Sequence, residues 1–213
     1  MKLVWSPETA SKAYIDTVKA CQLFRESSVA ELVSAMAAGW NAKLIVETWY
    51  RGGVIMTSVG LAVARSHTGG RHVCVVPDKE SRAEYVAAMD RAGMSAEVAV
   101  GSPEEVMEGL EGVDFLVVDS GRNDFARMLR AAKLGHRGAV LVCKNASSRT
   151  ASDFRWCTVM DGGSRRLVRS VFLPVGKGLD IAHVATSGGS SKGENRWFRH
   201  VDRQTGEEYV IRK

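Results

Sequence analysis

The sequence predicts an α/β fold, a mostly parallel seven-stranded sheet with helices on both faces, closed by a C-terminal antiparallel hairpin. Three observations carry this. Five short apolar runs alternate with helix-patterned segments between residues 42 and 145. The central runs, "AKLIVETW", "VDFLVVDS" and "GAVLVCKN", lack the in-out alternation of half-exposed strands, so they belong to a sheet covered on both sides. Further on, "LVRSVFLPVGKGLDIAHVA" reads as two strands joined at Gly176-Lys177-Gly178, a hairpin that closes the sheet.

The elements follow in order. Ser6-Pro7-Glu8 is a helix start, with a hydroxyl cap, proline at the first position and an acid near the positive end of the dipole. Ala13, Val18, Leu23 and Phe24 are its expected apolar stripe. Ser28-Val29-Ala30-Glu31 is a capping box opening a second helix that Gly39 stops. The strand at 42–49 leads through Gly52-Gly53 into a helix ending at Ala64. "HVCVV" is the next strand, and Pro77-Asp78-Lys79-Glu80 begins the helix "SRAEYVAAMDRAG", where Tyr85, Met89 and Ala92 recur at helical spacing. "AEVAVG" is a short strand, Pro103-Glu104-Glu105 starts a helix, and a further helix runs from Phe125 to Leu134. "SGGSSKGEN" is linker, and "WFRHVDRQTGEEYVIRK" forms a terminal hairpin about Gln204-Thr205-Gly206. The expected organisation is a single domain over 1–213: N-terminal helices in 1–40, a core in 41–145, loop and closing hairpin in 146–187, then linker and terminal hairpin in 188–213.

Bulk properties narrow the function. The net charge is +5, but from Arg137 onward 14 Lys/Arg face 7 Asp/Glu, leaving the first part slightly acidic. A basic second half suits an anionic small molecule or nucleic acid, and equally an ordinary solvated face. Cys21, Cys74, Cys143 and Cys157 form no CxxC pair and no zinc spacing, which points to a reducing compartment. No apolar stretch approaches membrane length, so the expectation is a cytoplasmic protein without membrane association, the nucleus remaining open.

Several chemistries are absent. "MTSVG" has Met56 where a nucleophile elbow requires glycine, and neither a phosphate loop of the GxxxxGK[ST] kind nor HExxH occurs. His67, His72, His136, His183 and His200 share no ligand spacing and read as surface or strand-end residues. Trp156, Trp197 and Phe198 lie among Arg149, Arg155, Arg196 and Arg199, a mixture that stacks on bases or simply packs a terminal hairpin.

Ligands of open parallel sheets bind beyond the carboxyl ends of the strands, which singles out Glu47–Gly53, Val76–Lys79, Asp119–Asn123 and Lys144–Asn145. With those positions in view, the order of pieces from Glu31 to Val184 resembles class I S-adenosylmethionine-dependent methyltransferases, particularly the catechol and caffeoyl-CoA type O-methyltransferases, a Rossmann-like sandwich. The whole chain is similar to a plant family of methyltransferase-like proteins of unknown function, through "MKLVWSPETASKAYIDTVKAC", "VAELVSAMAAGWNAKLIVETW", "FLPVGKGLDIAHVA" and "HVDRQTGEEYVIRK".

The resemblance implies roles for specific positions. Glu47 stands as the acid closing the first strand, and the three glycine positions that follow hold Trp49, Arg51 and Gly53. Glycine is used there because backbone approaches ligand, so an indole at that point is expected to narrow or fill the pocket. The ribose-binding acid after the second strand is replaced by Val76, with Asp78 two residues on. Of the implied metal site, Asp119 and Asn145 match, but the middle acid is Lys144. An ammonium beside Asp119 repels Mg²⁺, so no metal is expected. The candidate crevice is therefore Glu47, Trp49, Arg51, Gly53, Asp78 and Asp119, with binding of S-adenosylmethionine weakened and no catalytic residue assignable.

Arg51, Lys144 and Arg122 would make that crevice basic, and a helix start after Gly52-Gly53 attracts anions, so an anionic ligand is a competing expectation. Three readings stay open. They are a pseudoenzyme with a binding or regulatory role, a divergent metal-independent methyltransferase reusing Glu47 and Asp119, and a nucleic-acid module using the basic C-terminal region. Dimerisation through the N-terminal helices is implied by the resemblance alone.

Overall fold

Seven strands form one sheet in the computed structural model, in the order β3-β2-β1-β5-β7-β9-β8. The structure describes residues 5–21, 29–121, 125–147, 156, 165–186, 197–201 and 208–212. Strands β1 (Leu44–Thr48), β2 (Arg71–Val76), β3 (Glu97–Val100), β5 (Phe115–Asp119) and β7 (Ala139–Lys144) run parallel. The closing hairpin is β8 (Arg165–Leu173) and β9 (Leu179–Thr186), with β9 antiparallel to β7. The switch in strand order falls between β1 and β5, where an open α/β sheet forms its crevice.

Both faces are covered, as the apolar strand pattern requires. Ile45, Phe115, Val117, Val140 and Val142 pack beneath α1 (Pro7–Cys21), α2 (Val29–Gly39) and α3 (Met56–Thr68). Val46, Leu116, Val118, Leu141 and Cys143 point the other way, toward Phe125, Met128 and Leu129 of α6 (Phe125–Ala131). Helix α4 (Lys79–Arg91) places Tyr85 and Met89 against Cys74 and Val76 of β2. Helix α5 (Pro103–Glu108) opens on a complete capping box between Ser102 and Glu105.

Several boundaries differ from expectation for local reasons. The buried stripe of α1 is Ala10, Ala13, Thr17 and Cys21, whereas Val18 is exposed. Thr17 is tolerated inside because its hydroxyl donates to Ala13 and to Ser34 of α2, leaving no orphaned donor. Leu23, Phe24 and the capping Ser28 lie outside the described residues. Helix α3 continues past Ala64 to a left-handed Gly69, whose N–H returns to the Arg65 carbonyl. Helix α6 stops at Ala131 rather than Leu134, because Lys133–Leu134 form a two-residue strand, β6, paired with β4 (Glu111–Val113). The terminal strands β10 (Trp197–Val201) and β11 (Glu208–Arg212) pair antiparallel, and their expected turn lies outside the described residues. Among the described residues no helix is long and apolar enough to cross a membrane.

Helices α2 and α3 touch backbone to side. A Cβ at Gly60 would stand 2.6 Å from the Ala30 carbonyl oxygen, so only glycine permits this approach. Gly60→Ala is expected to lower stability by about 1–3 kcal/mol through overpacking. Equilibrium denaturation checks it, and an unchanged midpoint would contradict the close contact.

Candidate functional site

Side chains alternate along a strand, so Glu47, Asp119 and Lys144 share the sheet face that carries Ile45, Val117 and Val142. Register then brings two of them together at the carboxyl edge: Asp119 is the direct partner of Lys144 across β5 and β7. Above them, a cavity of about 480 Å³ opens between these strand ends, the first turn of α3 and the β8–β9 turn. Its polar wall is Asp119, Lys144, Asn145 and Lys177, and Val29, Val54 and Leu179 supply apolar wall.

Asp119 is buried and fully engaged. Asn145 adopts φ 60°, a left-handed conformation that Asn tolerates. Its amide lies 2.8 Å from both Asp119 carboxylate oxygens, and the Gly121 N–H donates to Oδ1 at 2.9 Å. Lys144, only 7% exposed, holds its Nζ 3.9 Å from Asp119 Oδ2. That is an ion pair without a hydrogen bond. The three residues form one built cluster, not independent surface residues at strand ends. Among the described residues no group of three His, Cys, Asp or Glu is placed to hold a metal.

The glycine-position residues behave differently from expectation. Trp49 does not line the cavity; its indole is 2% exposed and turned into the core, edge-on to Tyr85 with centroids 5.4 Å apart. Burying an indole stabilises far more than leaving it at a polar mouth, so the ring goes under the loop instead of across the pocket. It also explains Gly53. A Cβ there would sit 3.0 Å from Trp49 Nε1 and 2.8 Å from the Tyr50 carbonyl oxygen. The glycine is demanded by the chain's own indole and turn.

Arg51 likewise stays outside the cavity lining. Its exposed guanidinium pairs with Glu84 of α4 at 3.5 Å, and Glu84 also accepts the Gly52 N–H at 3.0 Å. The expected basic contribution of Arg51 to the crevice is therefore corrected: it ties the loop to α4. Arg122 lies outside the described residues. Lys177, a cavity residue in the Gly176-Lys177-Gly178 turn, was readable in the sequence only as a turn residue.

Asp78 is also committed elsewhere. It caps α4, accepting the Ser81 N–H at 2.6 Å, and that hydrogen bond holds its carboxyl below the ordinary range. Val76 is fully buried and apolar. Neither reaches the cavity as a ribose partner.

Glu47 is enclosed on the same sheet face, away from the cavity lining. Its Oε1 accepts from Tyr85 at 2.9 Å and lies 3.0 Å from His72 Nε2. Burial alone would raise its carboxyl, but the His72 hydrogen bond and charge, with the Lys144 charge, outweigh burial and hold it lowered. Burial in turn pushes the Tyr85 phenol far above its usual value, so it remains a donor. His72, expected at the surface, is 1% exposed. The missed signal is its place two residues before Cys74, the register partner of Glu47.

Two outcomes follow for this cluster. Because folding lowers the Glu47 carboxyl from 4.5, its contribution is present above that pH and is lost as pH falls through the folded value. Wild type should therefore lose stability more steeply than Glu47→Gln below that pH in acid denaturation; parallel curves would contradict the buried carboxylate. Trp49→Ala should cost about 3–5 kcal/mol in chemical denaturation, as a core aromatic does. A loss below about 1 kcal/mol would place the indole outside the core.

The cavity lies beyond the carboxyl ends of the strands, where open parallel sheets hold their ligands, and solved structures share the fold. A methyltransferase from Geobacter sulfurreducens matches with a TM-score of 0.59 at 18% identity, covering 86% of this chain and 91% of its own. The O-methyltransferase from Bacillus cereus, solved with S-adenosylhomocysteine, matches with a TM-score of 0.56 at 16% identity, covering 85% and 93%. TomG from Streptomyces achromogenes, an O-methyltransferase involved in tomaymycin synthesis and solved with S-adenosylmethionine, matches with a TM-score of 0.54 at 23% identity, covering 86% and 92%. These likenesses establish a methyltransferase-like, Rossmann-like fold. No curated protein matches the chain. The family model described as a protein of unknown function, DUF1442, matches residues 1–213, and the chain belongs to that family.

Proposed function

We propose that this protein is a methyltransferase-like binding protein that does not transfer methyl groups from S-adenosylmethionine. One observation carries the reading: the Lys144 ammonium is enclosed in the cavity wall beside Asp119, whose two oxygens already accept from Asn145. A cationic sulfonium placed there meets the Lys144 charge at short range, and the Asp119 carboxylate that would otherwise attract it is already paired with that lysine.

The anchors a nucleoside cofactor would need are also committed. Glu47 is closed off by His72 and Tyr85, Asp78 caps α4, and Val76 offers no acceptor. These committed side chains do not fit the cofactor. Lys144 at the position of an implied metal-holding acid argues in the same direction against a divalent ion.

A divalent-free methyltransferase is the second reading, favoured by the open cavity and by the inward turn of Trp49, which leaves the mouth unobstructed. Isothermal calorimetry with S-adenosylmethionine and S-adenosylhomocysteine separates the two. The first reading expects no saturable heat up to about 1 mM ligand, a free energy weaker than about −4 kcal/mol. Micromolar binding of either compound would overturn it in favour of the second.

A further inference from the structure

We propose that the same cavity binds a small organic anion, a carboxylate or phosphate head on an apolar body, with Lys144 and the first turn of α3 holding the head. The inference rests on the reading above, since it assigns the ligand class of a site that a sulfonium does not suit.

The positive side of the site has two independent parts. Lys144 has a side chain 9% exposed and lines the cavity, and its ammonium, ion-paired with Asp119 at 3.9 Å, donates no hydrogen bond to any described residue. A desolvated ammonium carries three donors and costs heavily when they stay unmatched. An anionic oxygen in the cavity would satisfy them. The second part is α3, a helix of 13 residues whose N-cap position, Ile55, provides no side-chain hydrogen bond. The free N–H groups of its first turn therefore remain available, and Met56 and Thr57 of that turn line the cavity.

The charge balance favours an anion. Among the described charged lining residues, Lys144 and Lys177 face Asp119 alone. Asp119 offsets one lysine, and its oxygens are drawn toward Asn145 and the Gly121 N–H. One positive charge and the positive end of a helix dipole remain. The body of the ligand is set by the opposite wall, where Val29, Ala30, Val54 and Leu179 present apolar surface. A cavity of about 480 Å³ accommodates a single ring or short chain with its head group.

The test is amide NMR titration of the full chain with four probes sharing one ring: benzoate, phenyl phosphate, benzyl alcohol and benzylamine. The expected result is saturable shifts at the Gly52, Met56 and Thr57 amides with one or both anions. The tighter anion identifies the head group. Benzyl alcohol should bind at least about tenfold more weakly and benzylamine should produce no saturable shift, the scale of one charged hydrogen bond. Lys144→Met should weaken anion binding about tenfold. Lys144→Gln and competition by added KCl on wild type give the same readout if the Met variant does not fold.

The proposal is overturned if neither anion saturates, if the alcohol or amine binds as tightly, or if a folded Lys144 variant binds undiminished. Adding S-adenosylhomocysteine keeps the two readings apart. Its displacement of a bound anion would count against the absence of cofactor binding while leaving the anion site standing. Failure of both anions, with S-adenosylhomocysteine also inert, would remove the anion site alone.

Discussion

A lysine ammonium held inside the carboxyl edge of a parallel sheet is the constraint around which this site is organised. Transfer of such a charge from water is costly unless an opposite charge and hydrogen bonds compensate. Asp119 provides the opposite charge across β5 and β7, and Asn145 and the Gly121 N–H fix that carboxylate in place. The compensation is incomplete at Nζ, which lies beyond hydrogen-bond distance of its partner. On the proposed reading, an incompletely satisfied charge facing a cavity favours ligands of the opposite sign.

The loop after β1 is tied to the body of the protein by its own side chains. Trp49 turns inward against Tyr85, Gly53 leaves room for the indole, and the Gly52 N–H and Arg51 guanidinium both meet Glu84. Tyr85 then bridges the indole to Glu47, whose other neighbour is His72. A carboxylate at the end of the first strand is thus turned into a buried polar node linking β1, β2 and α4. Removing His72 or Tyr85 would leave the buried carboxylate with fewer partners and at higher cost.

Much of the fold was legible in the sequence, for physical reasons that apply to particular elements. Strands buried on both faces leave nearly unbroken apolar runs, so β1, β5 and β7 were read within a residue or two of their ends. Helix starts are equally plain at Ser6, Pro77–Glu80 and Pro103, and the structure adds that Asp78 and Ser102 are the capping side chains of the latter two. The start of helix α1 and Ala13 of its stripe are legible, but the rest of the stripe is not, because small residues and a self-satisfied threonine fill it, a pattern that hydrophobicity alone does not reveal. At the site, Asp119, Lys144 and Asn145 are singled out by their places at strand ends and by the resemblance, and the register of β5 and β7 sets Asp119 beside Lys144. The roles of Trp49, Arg51 and His72 are not legible, since a side chain's direction depends on what lies across from it. Tyr85 and Glu84 come from α4, more than thirty residues away in sequence.

The most direct test of the central claim is a crystal structure of the protein grown with saturating S-adenosylhomocysteine. The expected map shows the compound absent from the β1, β5 and β7 strand ends, Lys144 beside Asp119, and Glu47 still held by His72 and Tyr85. Density for S-adenosylhomocysteine lying across those strand ends, with Lys144 displaced from the cavity or donating to the ligand, would contradict it.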